Sequence, residues 1–186
     1  VNGLEYGTQQ FSDSLLFYLR DDGKIAGDVF PFCIALLTRL AMEYFPNHIA
    51  FRGAVSYGDG WESGEDCICG PILDRLVRLE ENSALIPRIV IDEDLILYCK
   101  DALPKAPFSD LSAQNLAFTM LTSFYVDIDG LHAIDLWGGS YLSSLQNGEI
   151  AVHKDLLIAS CKFVYDQYHN YLDKQKDVSD EQNKRI

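Results

Sequence analysis

Basic residues are scarce in this chain: 15 lysines and arginines stand against 28 aspartates and glutamates, a formal net charge of −13 over 186 residues. That balance excludes broad nucleic-acid binding, because a duplex partner needs a basic stripe through which counterions are released. It leaves room for a small anion, provided a divalent cation and a few arginines are focused locally. Cysteine is sparse and odd in number, at Cys33, Cys67, Cys69, Cys99 and Cys161. Such a set fits a reducing cytosol better than a disulfide framework. Cys67-Ile68-Cys69 has no second cysteine pair or nearby histidine to complete four ligands, so buried or half-buried thiols are expected rather than zinc. The histidines His48, His132, His153 and His169 are dispersed, each read as structural or solvated. No apolar run approaches the ~20 residues of a membrane span. Val1-Asn2-Gly3 is neither an initiator methionine nor the start of a signal-like stretch, which leads us to expect natural sequence upstream.

What is present is enough hydrophobic material, 48% of the chain, for one well-packed domain over residues 1–172, followed by a polar tail at 173–186. Period-two alternation predicts a strand at 11–19 and another at 49–57, closed by Gly58-Asp59-Gly60. Between them a helix is predicted from Asp28 as N-cap to Phe45, with Phe30, Ile34, Leu37, Ala41 and Tyr44 as its apolar stripe and Pro31 tolerated in the first turn. A short strand near Cys67 leads to a helix at 71–82, then to the buried-type strand of Arg88-Ile89-Val90-Ile91. Thr122–Val126 and Leu131–Leu136 flank Asp127-Ile128-Asp129-Gly130, a strong hairpin signal in which both aspartates read as turn residues rather than calcium ligands. A helix is predicted from Ile150 to Leu172, with Leu157, Cys161, Val164, Tyr165, Tyr168 and Leu172 along one side. The order β-α-β-β-α-β with later additions implies an α+β sandwich, a mainly antiparallel sheet with helices packed on it.

Two short runs carry the chemistry. In Phe11-Ser12-Asp13-Ser14, alternation puts Asp13 on one strand face with Phe11, Leu15, Phe17 and Leu19. A carboxylate on an apolar face needs hydrogen bonds, a charged partner or a metal ion. It reads either as a metal ligand or as a strand carboxylate satisfied by backbone groups of Ser12 or Ser14. In the run from Gly70 to Glu80, Asp74 and Arg78 stand four apart on one side of a helix. They read as a nucleotide-directed pair or as an ordinary surface ion pair worth about 0.3–0.5 kcal/mol. Arg52 alternates away from Phe51, Gly53 and Val55, toward solvent or toward a ligand.

The order of these motifs resembles the catalytic core of class III nucleotide cyclases. That family has a β-hairpin with a metal-binding aspartate in a Gly-Asp step, an R-x-G-[IV]-x-x-G strand, and a helix of pattern V-N-x-x-x-R-L-E. Asp13 matches the aspartate, with Ser12 in place of Gly. Arg52, Gly53, Val55 and Gly58 match the strand, and Leu73, Asp74, Arg78, Leu79 and Glu80 match the helix, with Asp74 in place of Asn. Phe-Ser-Asp-Ser, Gly-Pro-Ile-Leu, Ile-Pro-Arg-Ile-Val-Ile-Asp and Asp-Gly-Leu-His-Ala-Ile-Asp are similar to the bacterial branch of Pycsar pyrimidine cyclases in antiphage defence. The likeness spans residues 11 to 136.

The resemblance implies a cytoplasmic homodimeric enzyme that converts UTP or CTP to its 3′,5′-cyclic nucleotide and pyrophosphate. Two divalent cations, Mn2+ or Mg2+, would act there, with Asp13 a metal ligand, Arg78 the transition-state arginine, Asp74 near the ribose and Arg52 on the substrate. Purine cyclases of the family read the base with a Lys and an Asp; the corresponding positions here are Gln9 and Cys67, which implies a pyrimidine. The family's first metal aspartate lies on a strand upstream of the hairpin. Here Glu5 is the only acid before Asp13, and no strand long enough to pair with 11–19 is expected before it. The alternative is a catalytically inactive cyclase-homology domain that binds nucleotide or dimerises.

Overall fold

The first element corrects an expectation. β1 (Glu5–Phe11) precedes β2 (Ser14–Arg20) and pairs with it antiparallel over seven residues, from Glu5 opposite Arg20 to Phe11 opposite Ser14. A strand able to pair therefore does lie upstream. Phe11 belongs to it and not to the strand of Leu15, so the two do not share a face as the alternation suggested. Leu15 is 65% exposed, and the face expected to be buried faces water at that end. The Tyr18 ring lies over Gly7, where a Cβ would fall 2.2 Å from it, and that close approach calls for glycine. Arg20 closes the hairpin onto its register partner Glu5 at 2.6 Å and reaches Glu62 outside it at 2.5 Å.

The computed structural model describes residues 5–11, 14–20, 26–63, 68–84, 86–127, 129–136, 158–159, 161–174 and 176. Asp13 and Cys67 lie outside them, as does the whole segment 137–157, with the predicted helix start at Ile150 and Leu157.

α1 (Ala26–Tyr44) begins two residues before the predicted cap. Asp28 is buried in its first turn, and its carboxylate accepts from the Ser109 backbone N–H at 3.1 Å, so it makes a tertiary contact where a cap was expected. Phe30, Ile34 and Ala41 enter the core as the stripe requires, Leu37 packs against it, and Tyr44 is 41% exposed at the margin. With its final 3-10 turn, the segment Ala26–Asn47 is long and apolar enough to cross a membrane, with a mean hydropathy of 1.3. It meets that test by length and composition only, as the core helix of a soluble protein can also do. Its apolar side is the one that lies in this core.

β3 (Gly53–Val55) is shorter than predicted, since only these residues pair along β6. Phe51 instead packs its ring 4.7 Å from that of Phe45. β4 (Trp61–Glu62) and β5 (Ile68–Cys69) form a small antiparallel pair leading into α2 (Pro71–Ser83), whose first position takes proline because its N–H would be unpaired there. β6 (Ile89–Ile91) is buried throughout, as its unbroken apolar run requires. It runs parallel to β3 and antiparallel to β8 (His132–Ile134), which closes a hairpin with β7 (Phe124–Val126). The sheet order is β3-β6-β8-β7, and the chain is an α+β protein.

Residues 93–120 carry helices to which the periodicity assigned nothing. α3 (Glu93–Leu97) runs into a π turn (Tyr98–Ala102) and a 3-10 turn (Leu103–Lys105). α4 (Leu111–Met120) is capped by Asp110, which accepts from Ala113 N–H at 2.8 Å. In the helical residues 161–174, Phe163 is buried and Val164, Tyr168 and Leu172 half-buried, while Cys161 and Tyr165 are exposed. The apolar stripe is thus rotated by about one position from the predicted one, because Phe163 fills the place beside Phe45 and His48. The helix also continues through Asp173 and Lys174, into the segment expected to be a frayed tail.

Candidate functional site

Two parallel strands end on polar residues. Val55 and Ile91 are register partners, so Ser56 and Asp92, one residue further on, come side by side at the carboxyl edge of the sheet. Ligand sites in open α/β sheets favour this edge. Asp92 is 9% exposed, and its N–H donates to Val55 O at 2.9 Å. Its carboxylate accepts a short hydrogen bond from Ser56 Oγ and a second at 3.3 Å from Arg75 Nη1 on α2. Arg75 also pairs with Asp94, the second residue of α3. Beside the cluster Tyr57 stacks on Tyr98, ring centroids 4.1 Å apart, and Tyr98 Oη donates to Ala26 O at 3.2 Å. Asp92 stands at the N-cap position of α3 but makes no side-chain cap there, its carboxylate being turned to the strand and α2. Chemically, the cluster fixes α2 against the sheet through one buried carboxylate.

Sequence reasoning passed over Ser56, Arg75 and Asp92. The available signal was the polar residue ending each of two apolar strands, with an arginine one position past Asp74.

The residues singled out beforehand fall in three places. Arg78 Nε lies 3.1 Å from Asp74 Oδ2, with side chains 74% and 68% exposed, as the surface-pair reading describes. Arg52 Nε pairs with Glu80 at 2.7 Å, and its Nη1 donates to Ala84 O at 3.3 Å, holding the carboxyl end of α2 where a cation opposes the helix dipole. Gln9 Oε1 accepts from the Ile68 backbone N–H at 3.3 Å. The structure thus brings position 9 beside the residue that follows Cys67, across 59 residues of sequence, while Arg52 meets α2 at Glu80 and Ala84 and the Asp74–Arg78 pair stays exposed on the same helix.

The turn aspartates do more than turn the chain. Asp127 accepts from Arg88 Nη1 at 2.5 Å and Asp129 from Nη2, which also donates to Ser83 O at 2.6 Å. Burial disfavours the Arg88 cation, yet hydrogen bonds to Asp129 and Asp127 outweigh it and raise its pKa. The same hydrogen bond from Arg88 holds Asp129 below the usual carboxylate range. Burial pushes the Cys33 thiol up to about 11 and that of Cys99 to about 12. Cys161, exposed, is also raised, by partial burial of the thiol and then by the Asp135 charge.

Among the described residues no group of three His, Cys, Asp or Glu side chains is placed to hold a metal ion. Asp92 and Asp94 are bridged by Arg75, whose charge stands where a cation would. The described residues therefore do not form a divalent-cation cage. No protein-family model, curated protein or solved structure matches the chain.

Proposed function

We propose that the chain is a pyrimidine nucleotide cyclase of the class III type, a cytoplasmic homodimer that turns UTP or CTP into the 3′,5′-cyclic nucleotide and pyrophosphate as a signal in antiphage defence. The observation that carries this reading is the contact of Gln9 with Ile68. The resemblance assigns positions 9 and 67 to one task, reading the base, and Gln9 meets Ile68, the residue that follows position 67. The order of elements supports the same cyclase-like sandwich: a hairpin on either side of residues 12–13, then α1, β3, α2 and β6.

In this reading the ribose 3′-oxygen attacks the α-phosphorus, the bond to the bridging oxygen breaks, and pyrophosphate leaves. Charge gathers on the phosphate oxygens, where a guanidinium is most effective. Arg78 is suited to that role only if substrate approaches the exposed face of α2, and a site completed by a second chain presents it there. Asp74, its present partner, is released to the ribose when phosphate takes the arginine. The two divalent cations belong to the reading through Asp13; the described carboxylates add no ligand set to it.

Incubation of the protein with UTP, CTP and Mn2+, with products identified by mass, tests the reading directly. Cyclic product that disappears in Arg78→Ala supports it. The second reading, an inactive cyclase-homology domain, draws on the closed Asp74–Arg78 pair; it predicts nucleotide binding without cyclic product.

A further inference from the structure

α2 is packed unlike the rest of the fold. None of its 13 residues is fully buried: Ile72, Leu73, Leu76 and Leu79 are half-buried and Val77 is exposed. α1, by contrast, sends Phe30, Ile34 and Ala41 into the core, and β6 is buried throughout. Helices draw most of their stability from a packed apolar face, and a detached helix of this length is marginal in water. Arginines make up what α2 lacks in burial. Arg75 reaches Asp92 and Asp94. At the carboxyl end Arg52 pairs with Glu80 and donates to Ala84 O, and Arg88 donates to Ser83 O at 2.6 Å. The two ends of the helix differ. Ala84 is fully buried, and Arg88, itself buried, is gripped by Asp127 and Asp129. The amino end enters through Gly70, which offers no capping side chain and sits at φ +130°, where a side chain would be strained.

We propose that α2 is a separately opening helix, latched to the sheet through Arg75 and anchored at its carboxyl end, so that the turns carrying Asp74 and Arg78 come off the sheet while the sheet stays folded. Proteins open locally in units of unequal stability, and an element with no fully buried contact belongs to the low end. The Arg75 and Asp94 side chains are each more than a third open to solvent, so salt weakens the latch as it does not weaken an apolar contact. Once released, the amino-terminal turns have no packed face and no side-chain cap, and they fray; amide exchange therefore reports the opening. The inference rests on packing and holds whether or not the chain is a cyclase. Under the cyclase reading, the same opening controls when Arg78 is presented.

The test is amide exchange of the full chain, read residue by residue by NMR. Amides in the middle of α2 are expected to exchange about tenfold faster, or more, than those of β6. Ile134→Val, a mild loss in the buried face of β8, should quicken β6 about two- to tenfold and leave α2 unchanged, because α2 opens without breaking that packing. Arg75→Met should quicken α2 about fivefold. Raising salt from about 0.05 M to about 1 M should quicken α2 in the wild type and much less in Arg75→Met. Asp94→Asn, at a solvent-open partner, should give a smaller effect of the same sign, and decides if Arg75→Met does not fold. One common exchange rate for α2 and β6 would overturn the proposal. So would an Ile134→Val effect as large on α2 as on β6, or an α2 rate indifferent to salt and to the loss of Arg75 or Asp94.

Discussion

The Arg75 guanidinium on α2 reaches the buried Asp92 carboxylate at the end of β6, 3.3 Å away, and so fixes the rotation of the helix about its own axis. Whatever α2 presents to solvent, including Asp74 and Arg78 on its open side, is set by that contact.

Removal of the contact should be measurable. Arg75→Met leaves Asp92 with Ser56 as its remaining side-chain partner among those described, and is expected to cost about 1–3 kcal/mol in urea unfolding. Because Arg75 is 40% exposed, water repays part of the loss and the lower end of that range is expected. A double-mutant cycle with Asp92→Asn should return a coupling of about 1 kcal/mol. Additive effects would show that the two side chains do not act together.

Arg88 predicts an acid-linked effect. Its hydrogen bond lowers the pKa of Asp129 from the ordinary 3.8, so the carboxylate contributes stability that is fully present above 3.8 and is lost as pH falls through the depressed value. Asp129→Asn should therefore flatten the pH dependence of stability below about pH 4 and change its shape little above pH 5. An unchanged acid limb would remove Arg88 as the cause. Arg88→Met, which leaves Asp127 and the 42%-exposed Asp129 without their cation, should cost about 1–3 kcal/mol, water repaying part of the loss.

Thiol labelling checks the burial pattern. At pH 8 the native protein should alkylate Cys161 before Cys33 or Cys99, whose thiols are held at about 11 and about 12 by burial. Labelling of Cys99 at the rate of the unfolded chain would contradict the placement of α3 and its π turn.

Much of the fold could be read beforehand, for reasons that are local. α2, β6 and the β7–β8 hairpin declare themselves through helical spacing, an unbroken apolar run and a turn sequence, and these signals need no distant partner. The failures are tertiary. Asp28 resembles a cap but is taken by Ser109 N–H from a segment 81 residues away. β1, with Thr8, Gln9 and Gln10 along it, shows no apolar alternation and becomes a strand by pairing with β2. The cluster at Ser56, Arg75 and Asp92 was invisible because each residue is unremarkable in its own segment; only the parallel register of β3 and β6 joins them. The contact of Gln9 with the Ile68 N–H is tertiary in the same way, joining residues 59 apart in sequence.

Assembly gives a sharper prediction. If the site is shared between two chains, Asp13→Ala and Arg78→Ala are each inactive, and their mixture regains part of the activity through one intact shared site. No recovery on mixing, with both variants folded and dimeric, would confine the site to one chain.

The most direct measurement offers UTP, CTP, ATP and GTP in equal amounts to the protein with Mn2+ and quantifies cyclic products by mass. The account predicts a cyclic pyrimidine nucleotide as the dominant product, with Gln9→Lys lowering its yield because the proposed function gives Gln9 to the base. Cyclic AMP or GMP formed as fast as the pyrimidine product would contradict the base assignment, and no cyclic product from any triphosphate would contradict the cyclase reading itself.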